Sequence, residues 1–242
     1  DAKFIDWKAS IRSDKLIIRQ FTEERNLQVF FLIDVSNSMI FGSAKKIKCE
    51  VAAEIVAALS HNIIESNDSV GYGLFSDKIK NFVYPFLGMN QFFNILDGIS
   101  TYQHYGGGYD LNKAVKYLLS FLRKQTLVII VSDFIGLKKG WETSLRLAAK
   151  KFDLIGLMIR DPRDQILPAD ITQVVLQDPY SDTKIILDPK TIKKEFESYA
   201  KHDIEFIKET FEKTKADFTI ISTDSEYMKE VVGLSFSEIE NR

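Results

Sequence analysis

Residues 30–42 read FFLIDVSNSMIFG. A run of large apolar side chains stops at Asp34 and becomes a ladder of oxygen-bearing residues, Asp34, Ser36 and Ser38, at every second position. The apolar part is the pattern of a core strand covered on both faces. The oxygen ladder needs a chemical reason, and that reason depends on what the rest of the chain places nearby.

Outward from this stretch, short apolar runs alternate with segments of helical period. QVFFLID is followed by a helix over 44–64, SVGYGLFS, helices over 90–99 and 111–122, TLVIIVSDF, a helix over 141–150, and DLIGLMIR. Such alternation predicts an α/β fold, a mostly parallel sheet with helices on both faces. IKNFVYPF follows SVGYGLFS across only Asp77 and Lys78, too few residues for a crossover, so the two form an antiparallel hairpin at one sheet edge. Beyond Arg160 the turn-rich DPRDQILP leads to VVLQD and TKIILD, a second hairpin around PYSD. A long charged helix over 189–215 comes next, with Ile192, Phe196, Tyr199, Ile204, Ile207 and Phe211 on one side, and DFTIIST returns a strand to the sheet. The expected organisation is an arm over 1–26, pinned by Trp7, and a single domain over 27–242 with a hairpin insertion at about 161–189. Ile5, Asp6 and the Glu23, Glu24 and Arg25 cluster read as packing and surface ion pairs.

A chain of 242 residues with 45% apolar content closes one core of this size. Its 32 basic and 34 acidic side chains leave a net charge of −2, which gives no electrostatic reason for a nucleic-acid or anionic-membrane partner. The lone Cys49, in a helical stretch, reads as a buried inert thiol and rules out a multi-cysteine metal site. Every apolar run falls far short of the roughly 18 residues of a membrane span. Because the chain opens on Asp1 without a leader, it reads as an excerpt of a longer protein.

Ligands of open α/β sheets gather where strand ends face a topological switch point. Three polar loops are expected there: DVSNS, the GGGYD of 106–110, and Ser132-Asp133. Two carboxylates and several hydroxyls, without histidine or thiolate, suit a hard cation such as Mg²⁺ that takes an octahedral set of oxygens. The bland alternative is a strand end followed by helix caps. A phosphate nest is the alternative for GGGYD, but no Gly-Lys-Ser/Thr comes after it, and a plain flexible turn is the better of those two readings.

Asp-x-Ser-x-Ser after an apolar strand, a Gly-Gly loop and a strand-terminal Asp resemble the metal-ion-dependent adhesion site, MIDAS, of von Willebrand factor A domains. More narrowly, IDWKASIR, FTEERNLQVFFLIDVSNSM, VAAEIVAALS, NDSVGYGLFSD, VSDF and the late DPR resemble the bacterial domain-of-unknown-function 58 family across nearly the whole chain. The resemblance implies a von Willebrand A-like fold and a divalent cation, Mg²⁺ or Mn²⁺, on Asp34, Ser36, Ser38 and Asp133. Gly107 and Gly108 would shape the second loop, and a partner's acidic residue would fill an open position. It further implies a cytoplasmic, non-enzymatic interaction module working beside a MoxR-type AAA+ ATPase in protein assembly or maturation. One position departs from the pattern: Tyr109 stands where the family has a threonine hydroxyl, leaving Tyr109 and Asp110 as second-loop contributors and weakening metal binding until a partner completes the shell.

The enzymatic alternative is a metal-dependent phosphatase-like hydrolase using Asp34 as nucleophile. That chemistry wants an acid/base carboxylate two residues on, where this chain has Ser36. His61, His104 and His202 are scattered, and none accompanies a serine or cysteine nucleophile signature.

Overall fold

In the computed structural model, which describes residues 26–168, 171–181 and 183–227, the apolar runs form strands and the helical-period segments form helices. The order is β1 (Gln28–Asp34), α1 (Lys48–Glu65), β2 (Ser69–Phe75), β3 (Ile79–Phe86), α2 (Met89–Ser100), α3 (Leu111–Phe121) and β4 (Leu127–Ser132). Then come α4 (Trp141–Ala149), β5 (Asp153–Arg160), β6 (Val174–Gln177), β7 (Lys184–Leu187), α5 (Pro189–Lys213) and β8 (Asp217–Ser222). The expectations for residues 1–25, Trp7 among them, lie outside the described residues.

Six strands make one sheet in the order β3-β2-β1-β4-β5-β8, parallel except for the edge strand β3. Alternation along β1 sends Val29, Phe31 and Ile33 to one face and Phe30 and Leu32 to the other, so a continuous apolar run feeds two cores. Helices α1 and α2 cover the first face; α3, α4 and the end of α5 cover the second. The β2–β3 hairpin pairs antiparallel at the edge as expected, and β6 and β7 form a separate two-stranded sheet.

Two details differ from expectation. Helix α1 begins at Lys48 rather than 44, because Ser43 is drawn away by Asp161, which accepts its backbone N–H at 2.7 Å and its hydroxyl at 2.5 Å. The chain folds back there so tightly that the Lys48 N–H reaches the Phe41 carbonyl. In α5 only the C-terminal half packs on the sheet: Ile207 and Phe211 are buried, while Tyr199 is 75% exposed. Among the described residues no helix is long and apolar enough to cross a membrane.

The strand order fixes where a site can form. From the end of β1 the chain crosses through α1 to β2 on one side, and it later returns as β4 on the other. The crevice between those departures lies outside the carboxyl ends of β1 and β4, at Asp34 and Ser132-Asp133.

Candidate functional site

Asp34 ends β1 fully buried. One carboxylate oxygen accepts the Ser36 N–H at 2.8 Å and the other accepts the Ser132 hydroxyl at 2.6 Å. From across the crevice Asp133, also fully buried, accepts the Ser38 hydroxyl at 3.0 Å and the Ile135 N–H at 2.9 Å. The Ser36 and Ser38 hydroxyl oxygens lie 3.2 Å apart. Asp34, Ser36, Ser38 and Asp133, brought from loops about a hundred residues apart in sequence, thus form one oxygen cluster.

The second loop is stitched to the first. Asn37 donates its N–H to the Gly107 carbonyl at 3.0 Å, and its side-chain oxygen accepts the Gly107 N–H at 2.9 Å. Gly106 and Gly107 hold φ of 101° and 98°, a left-handed backbone that the glycines make cheap. Tyr109 points inward, 2% exposed, its ring against Phe75 and its hydroxyl 3.3 Å from the Ser132 oxygen. Asp110 stands apart from the cluster: it caps α3 through the Lys113 N–H and pairs with Lys138 at 3.1 Å. His104 bonds the Gly98 carbonyl through Nδ1.

Two participants were not anticipated from sequence. Lys48, wholly buried, places its ammonium 2.7 Å from Asp133 Oδ2 and 2.9 Å from Asp164 Oδ2. A signal existed, since Lys48 lies on the same helical stripe as Val51, Ala52 and Ile55, where a charge needs a buried partner. The other is Tyr180, in the turn between β6 and β7. Its hydroxyl lies 2.8 Å from the Ser38 oxygen, 3.2 Å from that of Ser36 and 2.8 Å from the Ile135 carbonyl. Nothing local in PYSD marks that residue, because its role comes from where the hairpin tip lands.

Electrostatics set what the cluster can do. Burial, then the neighbouring charge of Asp133, pushes the Asp34 carboxyl up to about 7, against the hydrogen bonds from Ser132 and Ser36 that favour its ionised form. Burial and then the charge of Asp34 push the Tyr109 and Tyr180 phenols well up, so both remain protonated. Asp133 and Asp164 share the single ammonium of Lys48, and the charge of Asp133 also acts on Asp34, so the site has an excess of negative charge. Such a site gains from a further cation or a proton. Among the described residues no group of three or more His, Cys, Asp and Glu side chains is arranged to hold a metal. The cluster offers instead two carboxylates with serine hydroxyls, all hard oxygen donors, a set that fits Mg²⁺ or Mn²⁺ and not a soft metal.

Comparison with known proteins finds sequence relatives and solved structures of similar fold. An uncharacterized protein of Mycobacterium tuberculosis, Rv1480, is 26% identical over 236 residues, covering 96% of this chain and 74% of its own. Among solved structures, the conserved hypothetical protein BatB from Bacteroides thetaiotaomicron aligns with a TM-score of 0.61 at 15% identity, over 90% of this chain and 100% of that one. An aerotolerance-related membrane protein from Bacteroides fragilis aligns at 0.57 and 12%, over 87% and 98%. The VWA domain of SpRpn10 aligns at 0.49 and 12%, over 86% and 94%. The family described as protein of unknown function DUF58 matches residues 1–205, and the chain belongs to that family.

Proposed function

We propose that this domain is a non-enzymatic protein-interaction module whose crevice holds Mg²⁺ or Mn²⁺ and binds an acidic side chain of a protein partner. The observation that carries the reading is the buried oxygen cluster at the switch point with more carboxylate charge than Lys48 neutralises. Asp34, Ser36, Ser38 and Asp133 would hold the ion. When bound, it supplies a hard positive centre to which a partner's carboxylate can bind.

The chain's own groups prepare that position. Ser132 and the Ser36 N–H orient the Asp34 carboxylate. Lys48 and the Ile135 N–H fix Asp133 so that Oδ1, bonded to the Ser38 hydroxyl, faces the serines. Tyr109 closes the floor beneath Ser132 with its ring against Phe75. Asp34 has no acid/base carboxylate two residues on, and no histidine is hydrogen-bonded to the cluster among the described residues, which favours binding over turnover. The family resemblance adds a MoxR-type AAA+ ATPase and a cytoplasmic setting to the proposal.

Calorimetric titration of Mn²⁺ into the wild type and Asp34→Asn tests it, together with pull-down of a purified MoxR-type ATPase with and without chelator. Binding by the wild type, lost in Asp34→Asn, supports the reading. Equal heats in both forms, or Mn²⁺-dependent hydrolysis of a phosphate ester that disappears in Asp34→Asn, would overturn it.

A further inference from the structure

The hairpin β6–β7 pairs with itself and leaves much of its surface in solvent, with Val175 58% and Ile186 66% exposed. Its turn is differently placed. Asp178 shapes it by accepting the Tyr180 N–H at 2.9 Å and the Ser181 hydroxyl at 2.8 Å. Asn37 donates to the Pro179 carbonyl at 3.0 Å, so the residue that joins the first two site loops also holds the hairpin tip. The Tyr180 ring lies over Gly136, at φ 87°, where a Cβ would overlap it, and its other neighbour is the stacked ring of Tyr109 at 6.4 Å. A slot lined by three separate loops therefore receives one side chain and delivers its oxygen to Ser36 and Ser38.

We propose that Tyr180 is the built-in occupant of this site, holding the oxygen position that a partner's acidic side chain takes, so that binding displaces the hairpin tip. The inference rests on the cation-site reading above. The phenol oxygen, Ser36 and Ser38 are mutually 2.8 to 3.2 Å apart, contact distance for hydrogen-bonded oxygens, which leaves no room for another oxygen among them. Each serine has one hydrogen and two lone pairs, and bonds to the phenol engage what a cation would need. A cation on the two serines must therefore first displace the phenol, and a partner carboxylate, a better ligand for a hard cation than a neutral phenol, then takes the vacated oxygen position. The mostly exposed hairpin belongs to the kind of segment that opens without unfolding the core.

The experiment compares the wild type, Tyr180→Phe, Gly136→Ala and Asp34→Asn in the full chain, using Mn²⁺ alone as probe. Calorimetry reads affinity, and hydrogen exchange with mass spectrometry reads the amides of 178–181. Removing the phenol hydroxyl, or crowding the ring out with Gly136→Ala, is expected to tighten Mn²⁺ binding about tenfold. In the wild type Mn²⁺ is expected to speed exchange at the tip. Equal or weaker binding in Tyr180→Phe, with tip exchange unchanged or slowed, overturns the occupant role while leaving the cation site standing if Asp34→Asn still abolishes binding. No binding in any form, Tyr180→Phe included, overturns both.

Discussion

The Lys48 ammonium lies 2.7 Å from Asp133 Oδ2, and both side chains are shut off from solvent. A lysine at the start of one helix thus serves as a fixed cation beside a strand-end carboxylate 85 residues away. Its second bond, to Asp164 at 2.9 Å, ties in the turn after β5, where Asp164 also accepts the Asp161 N–H at 3.0 Å.

Replacing that fixed charge exposes its worth. Lys48→Met leaves Asp133 and Asp164 without their shared counter-charge and is expected to cost about 3–5 kcal/mol, the usual penalty for breaking one side of a buried pair. Urea denaturation measures it. If Asp133 binds the proposed cation, Mn²⁺ restores more stability to Lys48→Met than it adds to the wild type; an equal gain in both argues against Asp133 as a ligand.

The Asp34 carboxyl gives a pH dependence of definite sign. Its folded value, about 7, stands above the ordinary 3.8, so between those limits the folded state binds more protons than the unfolded one. The contribution of this group is fully present below about 4 and is lost as pH rises to about 7. Without divalent cation, the wild type should therefore lose stability relative to Asp34→Asn across that window. Thermal melts of both forms at several pH values check this, and parallel profiles would contradict it.

Tyr109 is better tested by removing its hydroxyl than by restoring a threonine. Tyr109→Thr deletes a buried ring packed on Phe75, and the resulting cavity is expected to cost about 3 kcal/mol, hiding any gain from a shorter hydroxyl. Tyr109→Phe keeps the packing and loses only the contact to Ser132 at 3.3 Å. It should cost less than about 1.5 kcal/mol and leave Mn²⁺ affinity unchanged. A large loss of affinity in Tyr109→Phe would make the phenol itself a ligand.

Asp161 explains the DPR sequence. Burial works to raise its carboxyl, yet hydrogen bonds from Ser43, Arg163 and Thr223 outweigh it and hold the group below the ordinary range. Asp161→Ala frees the loop before α1 and the strand end at Thr223 together, at an expected cost of about 2–3 kcal/mol. Hydrogen exchange at 42–47 should rise in that variant, and protection equal to wild type there would show that the loop is held by other contacts.

Periodicity gave a mostly parallel sheet and put Asp34 and Asp133 at strand ends, and the two-residue link at Asp77-Lys78 gave the antiparallel edge, because apolar runs of strand length and segments of helical period leave few arrangements that bury them. The oxygen ladder was equally legible, since hydroxyls and carboxylates at alternate positions are a local feature. Lys48 was half legible, a charge on an apolar stripe whose partner no spacing names. The early start assigned to α1 failed because Ser43 is claimed by Asp161 over 118 positions, and the apolar side of α5 is fully buried only in its second half, leaving Tyr199 exposed. Tyr180 was decided by tertiary structure alone. A hairpin turn carries no sign of what its tip will touch, and only the folded position of Gly136, Asn37 and the two serines brings that phenol within 2.8 Å of Ser38.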